Sequence, residues 1–321
     1  MVVEWVIGQI VMSDFKFDDV EVALVDGDLG ARESIRGVMQ SNGFRKFNLG
    51  QDIPGLIGMI KSGTPDMVIM GGEFEGGGVS KFVRLLRHNE FKGNPFVPVI
   101  VVTWNPTPEL VRELVDAGID DLVPKPISAN HLLKRTANII NNRQPFIVTT
   151  DYVGPDRRKD SERGSDIPLV EVPNTLRAKA TGDKTAAIDA KNKVNQVLAE
   201  INVQKMERHA FQIAWLVEQS MGSLIMGSMD DKIVGYMNKM NLVSKDLSKR
   251  MVGTDYAHIS ELSESIIQVS KSILQNKSSP PAKDVKLLAP LSQALKNSFD
   301  PNMDQAAVAS DIAAVVSAKS G

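Results

Sequence analysis

The sequence predicts an α/β domain built on a doubly wound, five-stranded parallel sheet, followed by an all-α helical domain. Three observations carry that expectation. Short apolar, β-branched runs recur between Asp18 and Asn141, each bounded by turn residues. Segments with helical spacing separate them, which calls for crossover connections and a sheet covered on both faces. No Gly or Pro occurs between Lys184 and Met221, where apolar residues recur at Val194, Leu198, Ile201, Ile213 and Leu216.

Taken in order, Val20–Val25 is the first strand. Gly30–Ser41 is helical, with Ile35, Val38 and Met39 on one side and Asn42-Gly43 as its stop. Arg45–Leu49 is a short second strand and Ile53–Lys61 a helix closed by Gly63 and Pro65. Met67–Met70 is the third strand, and Val79–His88 a helix that turns Phe82, Val83, Leu85 and Leu86 inward. Pro98–Val102 is the fourth strand. Pro108–Ala117 is a helix ending at Gly118, where a positive φ is easy. Leu122-Val123 is the fifth strand, and Ser128 an N-cap for a helix through Ile140. In such sheets ligands bind beyond the carboxyl ends of the strands. That places Asp26, Gly71, Thr103 and Lys125 around one crevice.

The domain boundaries expected are an extension over 1–17, the α/β domain over 18–143, a flexible linker over 144–183 and helices over 184–321. The linker reading rests on Gly154-Pro155-Asp156-Arg157-Arg158-Lys159-Asp160 with Pro168 and Pro173. Gly222, Gly227, Gly253 and Pro280-Pro281 divide the last region into further helices near Asp230–Met251, Asp255–Gln275, Asp284–Asn297 and Asp304–Ala318. Their apolar stripes predict a bundle or a homodimer interface.

Composition narrows the function. With no cysteine in 321 residues, disulfides, thiolate catalysis and Cys-based zinc sites are excluded. The net charge of -2 provides no global field for nucleic acid or anionic lipid. Residues 184–321 carry 16 Lys and Arg against 14 Asp and Glu, which argues against DNA binding. Met1 to Met12 is apolar but too short for a bilayer and lacks a basic start, so it reads as an extension, or as lying upstream of a working start at Met12. The expectation is a cytoplasmic protein without membrane contact.

Several motifs together resemble CheY-like response-regulator receiver domains. Leu24-Val25-Asp26-Gly27-Asp28 is similar to the acidic loop after the first strand, where two adjacent acids help bind Mg²⁺; Gly27 replaces the second acid and Asp28 lies one place on. Pro65 to Met70 resembles the strand leading to the phosphorylated aspartate, and Gly71, 45 positions after Asp26, stands where that acceptor belongs. Val97–Thr103 resembles the fourth strand, ending in the hydroxyl that contacts the phosphoryl group, with Trp104 where a small residue is usual. Ala117–Pro126 resembles the fifth-strand region, with Lys125 as the phosphate-pairing lysine, Lys125-Pro126 as the cis dipeptide, and Leu122 in place of an aromatic switch residue. Phe91–Pro98 and Tyr152–Arg158 resemble alphaproteobacterial receivers with a Gly-Pro-Asp-Arg-Arg tail.

The resemblance implies two-component signalling without the phosphate acceptor: a phosphorylation-independent protein-interaction adaptor, not an enzyme. The family's partner surface would lie on Pro108–Ala117, Leu122-Val123 and Ser128–Ile140. Asp26 and Asp28 would hold Mg²⁺ weakly at most, so no cofactor is expected. Lys125 has Asp26 as an alternative partner, and their ion pair would lock the crevice without phosphate; the other reading is a partly solvated lysine. Trp104 either fills the phosphoryl space or packs on the neighbouring helix. Glu73 and Glu75 could supply a substitute carboxylate, but their distance from the strand end argues against it. Gly71-Gly72 and Gly76-Gly77-Gly78 form a flexible loop, since no Gly-Lys-Ser/Thr follows. His209, in the context His209-Ala210-Phe211-Gln212, reads as structural or surface rather than as a phosphotransfer histidine. Trp215 and Phe211 read as core, and Arg157-Arg158-Lys159 as a solvated run with docking on an acidic partner as the lesser reading. The alternatives kept are a regulator phosphorylated on a non-standard acceptor and a DNA-binding transcriptional regulator.

Overall fold

A computed structural model describes residues 15–63, 65–158 and 168–299. It divides into two compact units, residues 1–199 and 200–321. The expected extension is largely, and the helix near Asp304–Ala318 wholly, outside the described residues.

The first unit carries five parallel strands in the order β2-β1-β3-β4-β5. These are β1 (Glu21–Val25), β2 (Lys46–Gly50), β3 (Met67–Gly71), β4 (Val99–Thr103) and β5 (Asp121–Pro124). The crossover helices are α1 (Leu29–Ser41), α2 (Ile53–Ser62), α3 (Val79–Arg87), α4 (Pro108–Ala117) and α5 (Ala129–Asn142). The two-residue period of the strands splits the core cleanly. Val22, Leu24, Ile69, Ile100 and Val102 pack on one side with Ile35, Met39, Leu132 and Ile140. Ala23, Val25, Val68, Met70 and Val101 pack on the other with Leu56, Phe82, Val83 and Leu114. The central strands are therefore apolar throughout, as burial on both faces requires.

Four of the five helix starts are fixed by side-chain caps: Asp28 for α1, Asp52 for α2, Thr107 for α4 and Ser128 for α5. Gly78, in the left-handed region, starts α3 without one. These caps set where each strand-end loop stops, and hence where the crevice residues sit.

The segment expected to be a flexible linker is ordered where it is described. β6 (Phe146–Val148) pairs antiparallel with β7 (Val153–Pro155) and β8 (Leu169–Val170), and α6 (Thr175–Ala180) follows. The turn residues and charges of this segment conceal a few apolar anchors. Phe146, Val148, Val153, Val170 and Leu176 are all buried, and each removes apolar surface from water. Gly154 passes so close to Gly118 that a Cβ on it would lie 2.9 Å from the Gly118 Cα.

The same segment is tied to the receiver-like body by a buried charge cluster. Arg87 donates to the carbonyls of Gly118 (2.8 Å), Pro95 (2.5 Å) and Val97 (2.8 Å) and to Asp120 Oδ2 (2.7 Å). Arg143 Nε donates to Asp120 Oδ1 at 2.9 Å. Both guanidinium groups lie 5.3 Å from the Phe146 ring centroid. Burial lowers the Arg87 pKa to about 10 against the opposing pull of Asp120. Arg157 donates to the carbonyls of Ile119 (2.8 Å) and Asp120 (2.5 Å), and Arg158 pairs with Asp156 at 2.9 Å. Arg157 and Arg158 remain exposed, as the solvated reading expects, while also bonding within their own chain; Lys159 lies outside the described residues.

The second unit contains the later part of α7 (Lys184–Ile225), then α8 (Asp231–Met251), α9 (Ser260–Gln275) and α10 (Ala282–Asn297). α9 packs on both α8 and α10. Their core includes Met206, Ile213, Met237, Met240, Leu262, Ile266, Leu288 and Leu291. His209 is buried, and its Nε2 meets Asp246 Oδ2 at 2.7 Å. Arg250 Nε donates to the same oxygen at 2.8 Å. Phe211 and Trp215, expected in the core, are half exposed, beside Lys296 and Tyr236 respectively. Helical spacing cannot separate a core stripe from an aromatic side chain resting on its flank. Among the described residues no helix is long and apolar enough to cross a membrane.

Two stability predictions follow from these clusters. Asp120→Ala leaves Arg87 buried without its counter-ion and is expected to cost about 3–5 kcal/mol in denaturant unfolding of the first unit. Asp246 is pushed up by burial, but hydrogen bonds from His209 and Arg250 and the Arg250 charge outweigh this and hold its carboxyl well below the usual range. A carboxyl depressed in the folded state binds more protons when unfolded, so stability rises with pH across its titration. The contribution is complete above the ordinary Asp value of about 3.9 and is lost as pH falls below it. Asp246→Asn is expected to flatten that acid limb in melting curves recorded against pH.

Candidate functional site

The crevice forms where four strand ends meet. Asp26 follows β1, Gly71 and Thr103 end β3 and β4, and Lys125 follows β5. Backbone bonds hold these ends in place: Asp26 N–H to Gly50 O at 3.2 Å, Gly72 N–H to Val102 O at 2.7 Å, and Lys125 N–H to Thr103 O at 2.7 Å. Arg32 Nη1 also donates to Asp26 O at 2.6 Å. The cavity above them measures about 820 Å³, with Asp26, Glu73, Trp104 and Lys125 at its polar end and Phe74 and Phe82 among its apolar lining. Of the receiver-pocket residues expected from the sequence, Asp26, Asp28 and Lys125 line this cavity, while Gly71 lies against Asp26 and Thr103 bonds to Glu73. The Lys125-Pro126 peptide bond is cis, as the resemblance implied.

Of the two readings of Lys125, the structure has the ion pair with Asp26. Nζ lies 2.7 Å from Oδ2, and each side chain is 2 % exposed. The approach is that of two charges without an aligned hydrogen bond to Oδ2. Asp26 Oδ1 accepts from the Asp28 backbone N–H at 2.9 Å. Asp28 itself turns away: its Oδ1 caps α1, accepting from Gly30 N–H at 2.8 Å and Ala31 N–H at 3.1 Å.

This arrangement does not fit the weak Mg²⁺ site expected at Asp26 and Asp28. Mg²⁺ asks for near-octahedral oxygen ligands with carboxylates free to bind. Here one carboxylate faces an ammonium and an amide, the other is a helix cap, and Gly27 and Gly71 bring no ligand. Among the described residues, no cluster of three or more His, Cys, Asp or Glu is placed to hold a metal ion.

Gly71 leaves a side chain little room. A Cβ there would lie 3.0 Å from Asp26 Cγ and Oδ2 and 3.1 Å from Oδ1. Its φ is outside the left-handed region, so space rather than backbone conformation favours glycine there.

Glu73 corrects the sequence reading. It was expected to lie too far along the chain, yet its carboxylate reaches the crevice. Glu73 Oε1 accepts from the Thr103 hydroxyl and, at 2.8 Å, from the Trp104 backbone N–H. Its Oε2 lies 3.8 Å from Lys125 Nζ. The cause is the path of the chain. Gly72 stays bonded to β4 and approaches it so closely that a Cβ would lie 2.9 Å from Thr103 Cβ. The next side chain is thereby delivered to the end of β4. Gly71-Gly72 before Glu73 was the signal in the sequence, since only glycine allows that approach. Glu75 is exposed and lines the same cavity.

Trp104 lines the cavity from an exposed position. It is 55 % exposed, with its ring centroid 5.5 Å from Lys125 Nζ, a cation–π distance. The glycine loop ends in Gly76, Gly77 and Gly78, all with positive φ, and leads into α3.

The response regulator receiver domain model matches residues 22–137. The chain is 23% identical over 127 residues to the phosphate regulon transcriptional regulatory protein PhoB of Klebsiella pneumoniae, covering 40% of this chain and 54% of that one. It is 29% identical over 126 residues to the response regulator MprA of Mycolicibacterium vanbaalenii, covering 39% and 52%. It thus spans about half the length of the curated relatives it matches. Similar solved structures include a signal receiver domain from Clostridium thermocellum (TM-score 0.35, 20% identity, 39% of this chain and 99% of that one) and the chemotaxis protein CheY4 of Vibrio cholerae (TM-score 0.32, 22% identity, 36% and 93%).

The spacing at Gly71 yields a direct test. Gly71→Ala inserts a methyl group against a carboxylate already fixed by Lys125 and is expected to cost about 1–3 kcal/mol in chemical denaturation. Gly58→Ala, on a helix with open space around it, is expected to be neutral or stabilising.

Proposed function

We propose that this chain, whose residues 22–137 are a response regulator receiver domain, serves bacterial two-component or phosphorelay signalling as a phosphorylation-independent protein-interaction adaptor. One observation carries the reading: Lys125 and Asp26 close on each other across Gly71, where a Cβ would already meet the Asp26 carboxylate at 3.0 Å. Phosphoryl transfer needs a carboxylate nucleophile, a metal and a positive group to take up developing charge. In this crevice the strand end offers no nucleophile, the acids offer no metal site, and the lysine is neutralised.

A receiver of this kind signals by being bound. Its partner surface would lie on α4, β5 and α5, and the α7–α10 helices would act as output or oligomerisation module, with a homodimer as the simplest assembly. The chain would act in the cytoplasm and would not be an enzyme. The relatives' names include a transcriptional regulatory protein, but the near balance of 16 basic and 14 acidic residues over 184–321 supports protein rather than DNA as the partner of the helices.

Intact-protein mass spectrometry after incubation with acetyl phosphate and Mg²⁺ tests this. No phosphoryl mass is expected on the wild-type chain. A stoichiometric adduct on any carboxylate would overturn the adaptor reading in favour of a regulator with a non-standard acceptor.

A further inference from the structure

We propose that the gap between α2 and α3 is a binding site for a small organic cation with an apolar body. The body lies between the two helices, and the cationic end meets Glu75 at the mouth. The site asks nothing of the missing phosphate acceptor and stands apart from the adaptor reading.

The cavity above the strand ends continues into this gap. α3 packs closely on α4, whereas α2 makes no comparable approach to α3. Ile53 and Ile57 of α2 line the gap on one side, and Phe82 and Leu85 of α3 on the other. Phe91, just beyond α3, stacks on Phe82 with ring centroids 5.5 Å apart, and both rings are buried. Ile53, Ile57 and Leu85 touch the same core but are only half-buried. Each would lose further apolar surface to water if a ligand body covered it. At about 820 Å³ the whole cavity has the size of small-ligand sites, which combine apolar walls with a few polar groups that orient the ligand.

Charge decides which ligand suits it. Lys125 is neutralised by Asp26 at 2.7 Å. The other charged groups of the lining are Asp28, Asp52, Glu73 and Glu75, against Lys81 alone. Three of these acids are engaged. Asp28 caps α1, Asp52 caps α2 by accepting from Gly55 N–H at 2.7 Å, and Glu73 accepts from Trp104 N–H at 2.8 Å. Glu75 is exposed and has no hydrogen bond or ion pair among the described residues. A carboxylate free beside an apolar wall attracts a cation and repels an anion, more strongly as a ligand displaces water from around it. Gly76, Gly77 and Gly78 then lead into α3, all with positive φ. That conformation disfavours side chains, so the mouth beside Glu75 stays clear of them.

The test titrates 4-phenylbutylamine into the full-length chain labelled with ¹⁵N and follows the backbone amides of Gly77, Gly78 and Leu85. These amides are expected to shift saturably. 4-Phenylbutyrate has the same body and the opposite charge, and should bind at least about tenfold more weakly. Butylamine lacks the ring and should also bind at least about tenfold more weakly. Ile57→Trp, which fills the gap, should abolish the shifts. Glu75→Lys should weaken amine binding about tenfold, and at an exposed position it serves if Ile57→Trp does not fold. The proposal is overturned if the three amides show no saturable shift, if amine and carboxylate bind equally, or if Glu75→Lys binds the amine as the wild type does. Acetyl phosphate labelling reads none of these quantities, so either proposal can fail while the other stands.

Discussion

The crevice depends on one buried ion pair. Lys125 and Asp26 meet at 2.7 Å with side chains almost withdrawn from water. Burying two charges costs several kcal/mol each in lost hydration, and their attraction offsets this only when both are present and well placed. The pair is therefore better understood as a constraint than as a source of stability. Once β1 and β5 bring these two groups together, neither can leave alone. Everything between them must then fit around a fixed carboxylate.

The other features of the site follow from that constraint. Gly71 sits against the Asp26 carboxylate, where a Cβ would lie 3.0 Å from it. The Asp28 carboxylate caps the first helix, while its backbone N–H donates to Asp26 Oδ1. Lys125 spends its charge on Asp26 and faces the exposed Trp104 ring at 5.5 Å. The donors left over at the end of β4 are met by Glu73. A buried hydroxyl without a partner would cost about 1–3 kcal/mol. The Thr103 hydroxyl, the Trp104 N–H and the Asp26 and Lys125 charges are thus each met by another group of the chain.

Much of this was legible in the sequence because fully buried strands and capped helices write strong local patterns. The runs Met67–Met70 and Pro98–Val102 marked β3 and β4 to within a residue. Ser128 and Gly118 appeared as the caps they are. Asp26, Gly71, Thr103 and Lys125 were placed together by the rule that strand ends gather the site. Three things were not legible, each for a physical reason. Glu73 reaches the pocket through a close backbone approach at Gly72, which is a property of three-dimensional path and not of spacing. Residues 144–183 looked like a linker because the order of their described parts rests on a few isolated anchors, such as Phe146 beside two arginines, rather than on a periodic stripe. Phe211 and Trp215 shared the helical spacing of the core while lying on its exposed flank.

The central claim is that Lys125 and Asp26 act as a single unit. A double-mutant cycle on the full chain, with Asp26→Asn, Lys125→Met and both together, measures it most directly by denaturant unfolding. Each single variant should lose about 3–5 kcal/mol, because each strands a buried partner. The double variant should lose no more than either single one, a coupling of about 3 kcal/mol. Strictly additive losses would contradict the account, since they would mean that the two groups stabilise the receiver independently and that the pair does not organise the crevice.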